Sequence, residues 1–133
     1  MLRFAMEKLQ AWKEKKDRKP LIIMGARQVG KTWLMKEFGT TCYEKVAYIS
    51  FYNNKRMDDV FQVDFDIQRI IMNLNIESGV TITPGDTLII LDEIQDTPKV
   101  LESLKYFCEE APEYHVIAAG SLLGVAIHEG VSY

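Results

Sequence analysis

The stretch that decides the fold runs from residue 21 to residue 32 and reads Leu21-Ile22-Ile23-Met24-Gly25-Ala26-Arg27-Gln28-Val29-Gly30-Lys31-Thr32. Its first four residues are continuously apolar, which predicts a strand buried on both faces of a sheet. Its last eight residues match the pattern Gly-x-x-x-x-Gly-Lys-Ser/Thr at every fixed position. The motif follows a predicted strand and opens a helix predicted to begin near Gly30, which is the context that a phosphate-binding loop requires.

The residue types in this loop suit the binding of a triphosphate. The glycines let the backbone curl, so the N–H groups of Gly25–Thr32 can point at phosphate oxygens, and the helix N-terminus adds its positive dipole end. Lys31 would place a full charge on the β- and γ-phosphates, and the Thr32 hydroxyl would bind Mg²⁺. A turn without a ligand is the alternative, but such a turn needs neither side chain. Arg27 could contact phosphate, although we favour an orientation towards solvent or a neighbouring subunit.

A second apolar run, Leu88–Leu91, ends in the carboxylates Asp92 and Glu93. Because side chains alternate along a strand, the two carboxylates should point in different directions and do different work. Asp92 fits the acid that holds Mg²⁺, and Glu93 fits a general base for the attacking water. Alone, the pair would be interpreted as solvated acids at a strand end. After a complete phosphate-binding loop, it favours hydrolysis.

Short apolar runs and helical patterns alternate along the rest of the chain, which predicts a three-layer α/β/α sandwich with a mainly parallel sheet. Four strands are predicted, at Leu21–Met24, Val46–Phe51, Leu88–Leu91 and Val116–Ala119. Helical patterns begin at Leu2, near Gly30, within Asn53–Ser78, near Leu101 and at Ser121. Gly39 is predicted to end the second helix, because glycine commonly follows a helix C-terminus.

Composition is that of an ordinary globular protein, with 133 residues, 47% apolar, 26% charged and a formal net charge of −3. This charge gives no global attraction to nucleic acid or to anionic membranes, and the basic stretch Lys13–Lys19 is best interpreted as a solvated helix end. The weakly polar run Val116–Ile127 is too short to span a bilayer. Two cysteines without metal-type spacing and no secretory signal predict a cytoplasmic protein.

The base preference follows from a comparison with the guanine-binding families. These families normally carry an Asn-Lys-x-Asp segment, whereas here Asn54-Lys55 is followed by Arg56 and Met57. The acidic strand end continues as Ile94-Gln95, without the glycine of a GTPase switch region. Elimination therefore favours adenine, and we expect ATP with Mg²⁺ as the ligand.

Three segments, Gly25–Thr32, Leu88–Gln95 and Ala118–Gly124, together resemble a family of prokaryotic ATPases in the AAA+ superfamily. The similarity extends over essentially the whole chain. Lys31, Glu93 and Ser121 are the candidate catalytic residues. The resemblance implies a P-loop fold of AAA+ type with the strand order 5-1-4-3-2. It also places Ser121 at the position of a polar residue that senses the γ-phosphate. An N-cap serine for the following helix is an equally good interpretation of Ser121.

The resemblance also implies segments that follow residue 133 in family members: a fifth strand, a helical lid and a restriction-endonuclease-like domain. We therefore expect residues 1–133 to be one nucleotide-binding AAA+ core that is incomplete at its C-terminus. With four strands, the strand before the phosphate-binding loop would lie at a sheet edge, which favours formation of a homo-oligomer. No arginine finger can be assigned, because Arg56 and Arg69 fit surface positions.

The sequence is compatible with three functions. The first is slow ATP hydrolysis through Glu93, slow because an arginine finger contributes roughly 10³–10⁵ in rate. The second is a nucleotide-dependent switch with negligible turnover. The third, a small-molecule kinase, would need a lid and an acceptor pocket. Nucleic-acid or protein partners are not specified by the sequence.

Overall fold

The computed structural model describes residues 2–25 and 30–121. In this part of the chain the strands are β1 (Leu21–Gly25), β2 (Lys45–Ser50), β3 (Thr87–Asp92) and β4 (His115–Ser121). The α-helices are α1 (Leu2–Glu14), α2 (Lys31–Cys42), α3 (Lys55–Val63), α4 (Ile67–Ser78) and α5 (Pro98–Glu110). A short 3-10 turn, Ile94–Asp96, follows β3. Each predicted strand is present, with ends that differ from the prediction by at most two residues.

The four strands form one parallel sheet in the order β1-β4-β3-β2. Because all strands run the same way, their carboxyl ends meet at one edge of the sheet. The prediction of a parallel α/β fold is confirmed, and the order agrees with the one implied by the family resemblance for these four strands. Within the described residues, β1 is an edge strand.

Helices cover both faces of the sheet, each over its own apolar cluster. On one face α1 and α2 contribute Leu9, Trp12 and Phe38, which pack on Leu88 and Ile90 of β3. On the other face α3, α4 and α5 pack on Ile89 and Leu91 of β3, together with Ala47, Ile49, Val116 and Ala118. Adjacent residues of β3 therefore belong to opposite clusters, as strand alternation requires. The arrangement is the predicted three-layer sandwich.

The burial of the two continuously apolar strands differs. All six residues of β3 are buried, as predicted. The residues of β1 pack against the apolar clusters on both faces but are only half-buried, so the expectation of a fully buried strand was wrong for Leu21–Met24. The difference follows from position, because β3 lies between two strands and β1 pairs with β4 alone among the described residues.

The predicted helix end at Gly39 was also wrong, because α2 continues through it to Cys42. A Cβ atom on Gly39 would lie 2.5 Å from Cγ2 of Val46 and 3.2 Å from Cδ2 of Leu88. The glycine thus allows α2 to approach the sheet closely, and its place in the sequence reflects packing rather than helix termination.

Two further helix predictions were changed by the structure. The long helical region from Asn53 to Ser78 contains two helices, and Asp66 caps the second by accepting hydrogen bonds from the backbone N–H groups of Gln68 and Arg69. Ser121, predicted to start a helix, is the last residue of β4. The rest of that predicted helix, residues 122–128, lies outside the described residues.

Candidate functional site

Several of the candidate site residues predicted from the sequence lie at the carboxyl edge of the sheet. Gly25 ends β1, Asp92 ends β3 and Ser121 ends β4. In parallel α/β sheets, ligands bind outside this edge. Residues 26–29 of the loop, Ala26, Arg27, Gln28 and Val29, lie outside the described residues, so the expectations for them stay predictions.

The helix α2 starts at this edge. Its N-cap is Gly30, which has a left-handed backbone (φ 110°) and provides no side-chain cap. Lys31 and Thr32 are the first two helical residues, where backbone N–H groups lack partners within the helix. The sequence therefore places the two polar side chains of the motif at the positive end of the helix dipole.

Thr32 and Asp92 are in direct contact. The Thr32 hydroxyl donates a hydrogen bond of 2.7 Å to Oδ2 of Asp92, although the residues are 60 positions apart. Asp92 is 1% exposed and follows Leu88 and Ile90 on the face of β3 that α2 covers. Strand alternation thus turns its carboxylate towards α2.

Two more donors hold the Asp92 carboxylate. The Tyr48 hydroxyl donates to the same Oδ2 atom at 2.7 Å, and the backbone N–H of Glu93 donates to Oδ1 at 2.9 Å. Burial and the hydrogen bond to Asp92 raise the pKa of Tyr48, so its hydroxyl keeps its proton. The ammonium of Lys36 lies 4.0 Å from the centroid of the Tyr48 ring. The sequence analysis assigned no role to Tyr48, because an aromatic residue within a predicted strand gives no sign of a contact with Asp92.

Lys31 is directed at β4. Its ammonium donates a hydrogen bond of 2.8 Å to the carbonyl oxygen of Gly120. An ammonium has three N–H donors, so this bond fixes the direction of the side chain and leaves two donors for phosphate oxygens. Lys31, Thr32 and Asp92 are therefore brought together at one place, as the motifs predict.

Glu93 leaves the strand direction immediately after Asp92. Its backbone is left-handed (φ 58°, ψ 47°), which is uncommon for a residue other than glycine. Its carboxylate accepts a hydrogen bond of 2.9 Å from the side-chain amide of Gln95. The Gln95 oxygen in turn accepts the backbone N–H of Ser121 at 3.0 Å. The sequence reasoning gave no role to Gln95, although it lies two residues after the acidic pair.

The donor set suits a hard cation bound together with phosphates. The Thr32 hydroxyl and the Asp92 carboxylate are oxygen ligands in contact with each other, and Mg²⁺ typically takes one or two protein oxygens plus substrate phosphates. No group of three or more His, Cys, Asp or Glu side chains that could hold a metal occurs in residues 2–25 and 30–121. The Thr32 hydroxyl and the Asp92 carboxylate thus fit Mg²⁺ bound together with phosphate oxygens.

A separate cleft of about 510 Å³ opens beside this edge, after β2 and β3. Its lining is mixed polar and includes Asn54, Lys55, Asp58, Asp96 and Thr97. None of Lys31, Thr32 or Asp92 lines it, so the cleft is distinct from the cluster described above.

A parallel α/β sheet with a Gly-x-x-x-x-Gly-Lys-Thr segment between its first strand and the following helix defines a P-loop protein of nucleotide-binding type. Residues 17–132 match a family of AAA domains, and the chain belongs to that family. Membership supports nucleotide binding of the ATPase type.

The fold is similar to that of a chain in the structure of Drosophila ORC bound to AT-rich DNA and Cdc6. The TM-score is 0.50 and the sequence identity 13%, and the match covers 93% of this chain and 49% of that chain. This chain therefore spans about half the length of its structural relative, and the likeness shows the fold alone. No curated protein matches the sequence. In the described part of the chain, no helix has the length and apolar character needed to cross a membrane.

Proposed function

We propose that this chain binds ATP with Mg²⁺ at the carboxyl edge of the sheet and hydrolyses it slowly. The observation that carries the proposal is the convergence of Lys31, Thr32 and Asp92, with Thr32 and Asp92 in contact at 2.7 Å. These residues come from two segments that the fold brings together, and a strand-to-helix turn without a ligand would need none of them.

Each residue then has a defined task. The backbone N–H groups of Gly25–Thr32 and the ammonium of Lys31 bind the β- and γ-phosphates. The Thr32 hydroxyl and the Asp92 carboxylate hold Mg²⁺, which neutralises charge that develops on the phosphate oxygens. Ser121, at the end of β4, is proposed to contact the γ-phosphate.

Hydrolysis needs one group that removes a proton from water. The oxygen of that water attacks the γ-phosphorus, the bond from this phosphorus to the β,γ-bridging oxygen breaks, and the proton passes to the Glu93 carboxylate. ADP and inorganic phosphate leave. We expect a low rate, since an arginine finger supplied from elsewhere raises the rate of such reactions by a factor of roughly 10³–10⁵.

Adenine remains the proposed base. Asn54 and Lys55, the nearest match to a guanine-binding segment, are used elsewhere in the fold. Asn54 caps α3 through the backbone N–H of Met57 and donates to Glu77, while Lys55 pairs with Asp59. Structural contacts therefore account for these residues without a nucleotide base.

Calorimetric titration of ATP and of GTP with Mg²⁺, on this chain and on Lys31→Ala, tests binding. We expect ATP to bind to the parent, with GTP weaker, and affinity to fall at least about tenfold in the variant, since a charge-assisted contact to phosphate is lost. Equal binding by both proteins would refute the site.

Turnover is tested with Glu93→Gln, which keeps the shape of the side chain and removes its basicity. We expect ATP affinity to be kept and hydrolysis to fall by about 10²–10⁴. If the parent binds ATP and releases no phosphate, the chain is a nucleotide-dependent switch, which is the second candidate. The cytoplasmic location, self-association through the β1 edge, and the lid and endonuclease-like domain stay predictions.

A further inference from the structure

Gln95 connects two parts of the site through both ends of its side-chain amide. It lies in the 3-10 turn Ile94–Asp96 and is half-buried. Its Nε2 donates to Oε1 of Glu93 at 2.9 Å, and its Oε1 accepts the backbone N–H of Ser121 at 3.0 Å. An amide used as donor and acceptor at once is fixed in orientation, because exchanging its oxygen and nitrogen would break both bonds.

The partner of Gln95 on β4 is a peptide unit that Lys31 also contacts. The carbonyl oxygen of Gly120 accepts the Lys31 ammonium at 2.8 Å, and the N–H of the next residue, Ser121, donates to Gln95. These two groups belong to one planar peptide bond. A continuous set of contacts therefore runs from Lys31 through this peptide and Gln95 to Glu93.

The packing around Gly120 keeps this connection short. A Cβ atom at Gly120 would lie 3.1 Å from Oε1 of Gln95, 3.3 Å from its backbone N and 3.3 Å from Cγ1 of Ile94. A side chain at this position would require these neighbouring atoms to shift by a few tenths of an ångström. The 3-10 turn that holds Gln95, with Glu93 directly before it, thus packs against the strand that Lys31 contacts.

We propose that Gln95 is a positioning residue that orients the Glu93 carboxylate for ATP hydrolysis. With one carboxylate oxygen held by the Gln95 amide, the second is left to accept a proton from the attacking water. Because Lys31 is bonded to the same peptide unit, the phosphate-binding lysine and the base are held relative to one another. This inference rests on the proposed function.

The test compares the parent chain with Gln95→Leu, Gln95→Glu and the control Gln68→Leu, an exposed position on α4. Gln95→Leu removes both hydrogen bonds. Gln95→Glu keeps an oxygen for the N–H of Ser121 but loses the donor to Glu93, so it separates orientation of Glu93 from attachment to β4. Affinity for ATP with Mg²⁺ is measured by calorimetry, and hydrolysis by single-turnover assay with the protein in excess.

We expect both Gln95 variants to hydrolyse ATP about 10- to 100-fold more slowly, as for a misplaced catalytic group, with dissociation constants within about twofold of the parent. Gln68→Leu should match the parent in both measurements. The proposal is overturned if either Gln95 variant keeps the parental rate, or if affinity falls by the same factor as the rate. If the parent binds ATP but does not hydrolyse it, both the hydrolytic part of the proposed function and this inference are refuted. If the parent hydrolyses ATP and the Gln95 variants are equally active, only this inference is refuted.

Discussion

At the scale of single residues, Asp92 is a buried carboxylate whose position is set by three donors: the Thr32 hydroxyl, the Tyr48 hydroxyl and the Glu93 backbone N–H. A buried charge without partners would be costly, so these contacts are a condition for keeping the acid inside the fold. The residue proposed to hold the cation is therefore oriented by contacts within the protein.

Replacing Tyr48 with Phe removes one of these donors while keeping the ring beside Lys36. We expect the free energy of unfolding to fall by about 1–2 kcal/mol, since a hydrogen bond to a charged acceptor is lost and two donors remain. Urea denaturation measures the change. Tyr52→Phe is the matched control, because Tyr52 is 63% exposed and should change stability by less than about 0.5 kcal/mol. Equal stability of the two variants would contradict a stabilising role for the Tyr48 hydroxyl.

Sequence reasoning reached Lys31, Thr32 and Asp92 because motif spacing identifies side chains that the chemistry of phosphate and Mg²⁺ demands. It missed Tyr48 because the contact depends on register: β2 pairs Tyr48 with Ile90 and Ser50 with Asp92, so Tyr48 reaches Asp92 diagonally along one face. It missed Gln95 because its amide oxygen accepts a hydrogen bond from the backbone of Ser121, which lies 26 residues further along the chain. Contacts of this kind follow from tertiary geometry and leave no local pattern.

At the scale of elements, the close approach of α2 to the sheet depends on Gly39. Alanine there would gain about 1 kcal/mol of helix propensity but would overlap with Val46, whose branched side chain has little freedom to move. Overpacking of a core typically costs about 1–3 kcal/mol. We therefore expect Gly39→Ala to lower the free energy of unfolding by about 1 kcal/mol.

Thermal and urea unfolding of Gly39→Ala, alone and combined with Val46→Ala, test this expectation. Val46→Ala removes the methyl group that the new Cβ would meet. It should therefore lower the free energy of unfolding less in the Gly39→Ala background than in the parent. If the two substitutions change the free energy of unfolding additively, contact with Val46 is not the reason that position 39 requires glycine. The same residue illustrates why the helix end was mispredicted: local propensity indicates a stop, and packing against the sheet overrides it.

At the scale of the whole molecule, His115 links stability to pH from the opposite end of β4. It is 7% exposed, and its Nδ1 is hydrogen-bonded to the hydroxyl of Tyr43 at 2.6 Å. Burial raises the pKa of Tyr43, so that hydroxyl keeps its proton. Burial and the nearby charges of Arg18 and Lys13 lower the pKa of His115 to about 4. In the unfolded chain, an ordinary histidine titrates near 6.5.

Between these two pKa values the unfolded chain binds more protons than the folded one, so the neutral histidine contributes stability that is fully present above pH 6.5. That contribution is lost as the pH falls from about 6.5 to about 4. His115→Gln keeps an acceptor for Tyr43 and cannot titrate. As the pH falls from about 6.5 to about 4, we expect the free energy of unfolding to decrease more in the parent than in the variant. Urea unfolding at several pH values measures both. A difference between the two that stays constant would contradict the assignment.

The strand order has a consequence for how the chain acquires its shape. β1 pairs with β4 in a register that joins Leu21 to Ile117, so during synthesis β1 must wait for β4 before it gains this sheet partner. Contacts between such distant residues raise the contact order and slow folding. During synthesis, the apolar residues of β1 therefore spend a period without their sheet partner, and nascent chains are vulnerable to aggregation at that stage. The contacts of Lys31 with Gly120 and of Gln95 with Ser121 can form only after β4 has emerged, so the cluster at the carboxyl edge of the sheet stays incomplete while the chain has been synthesised only as far as β3.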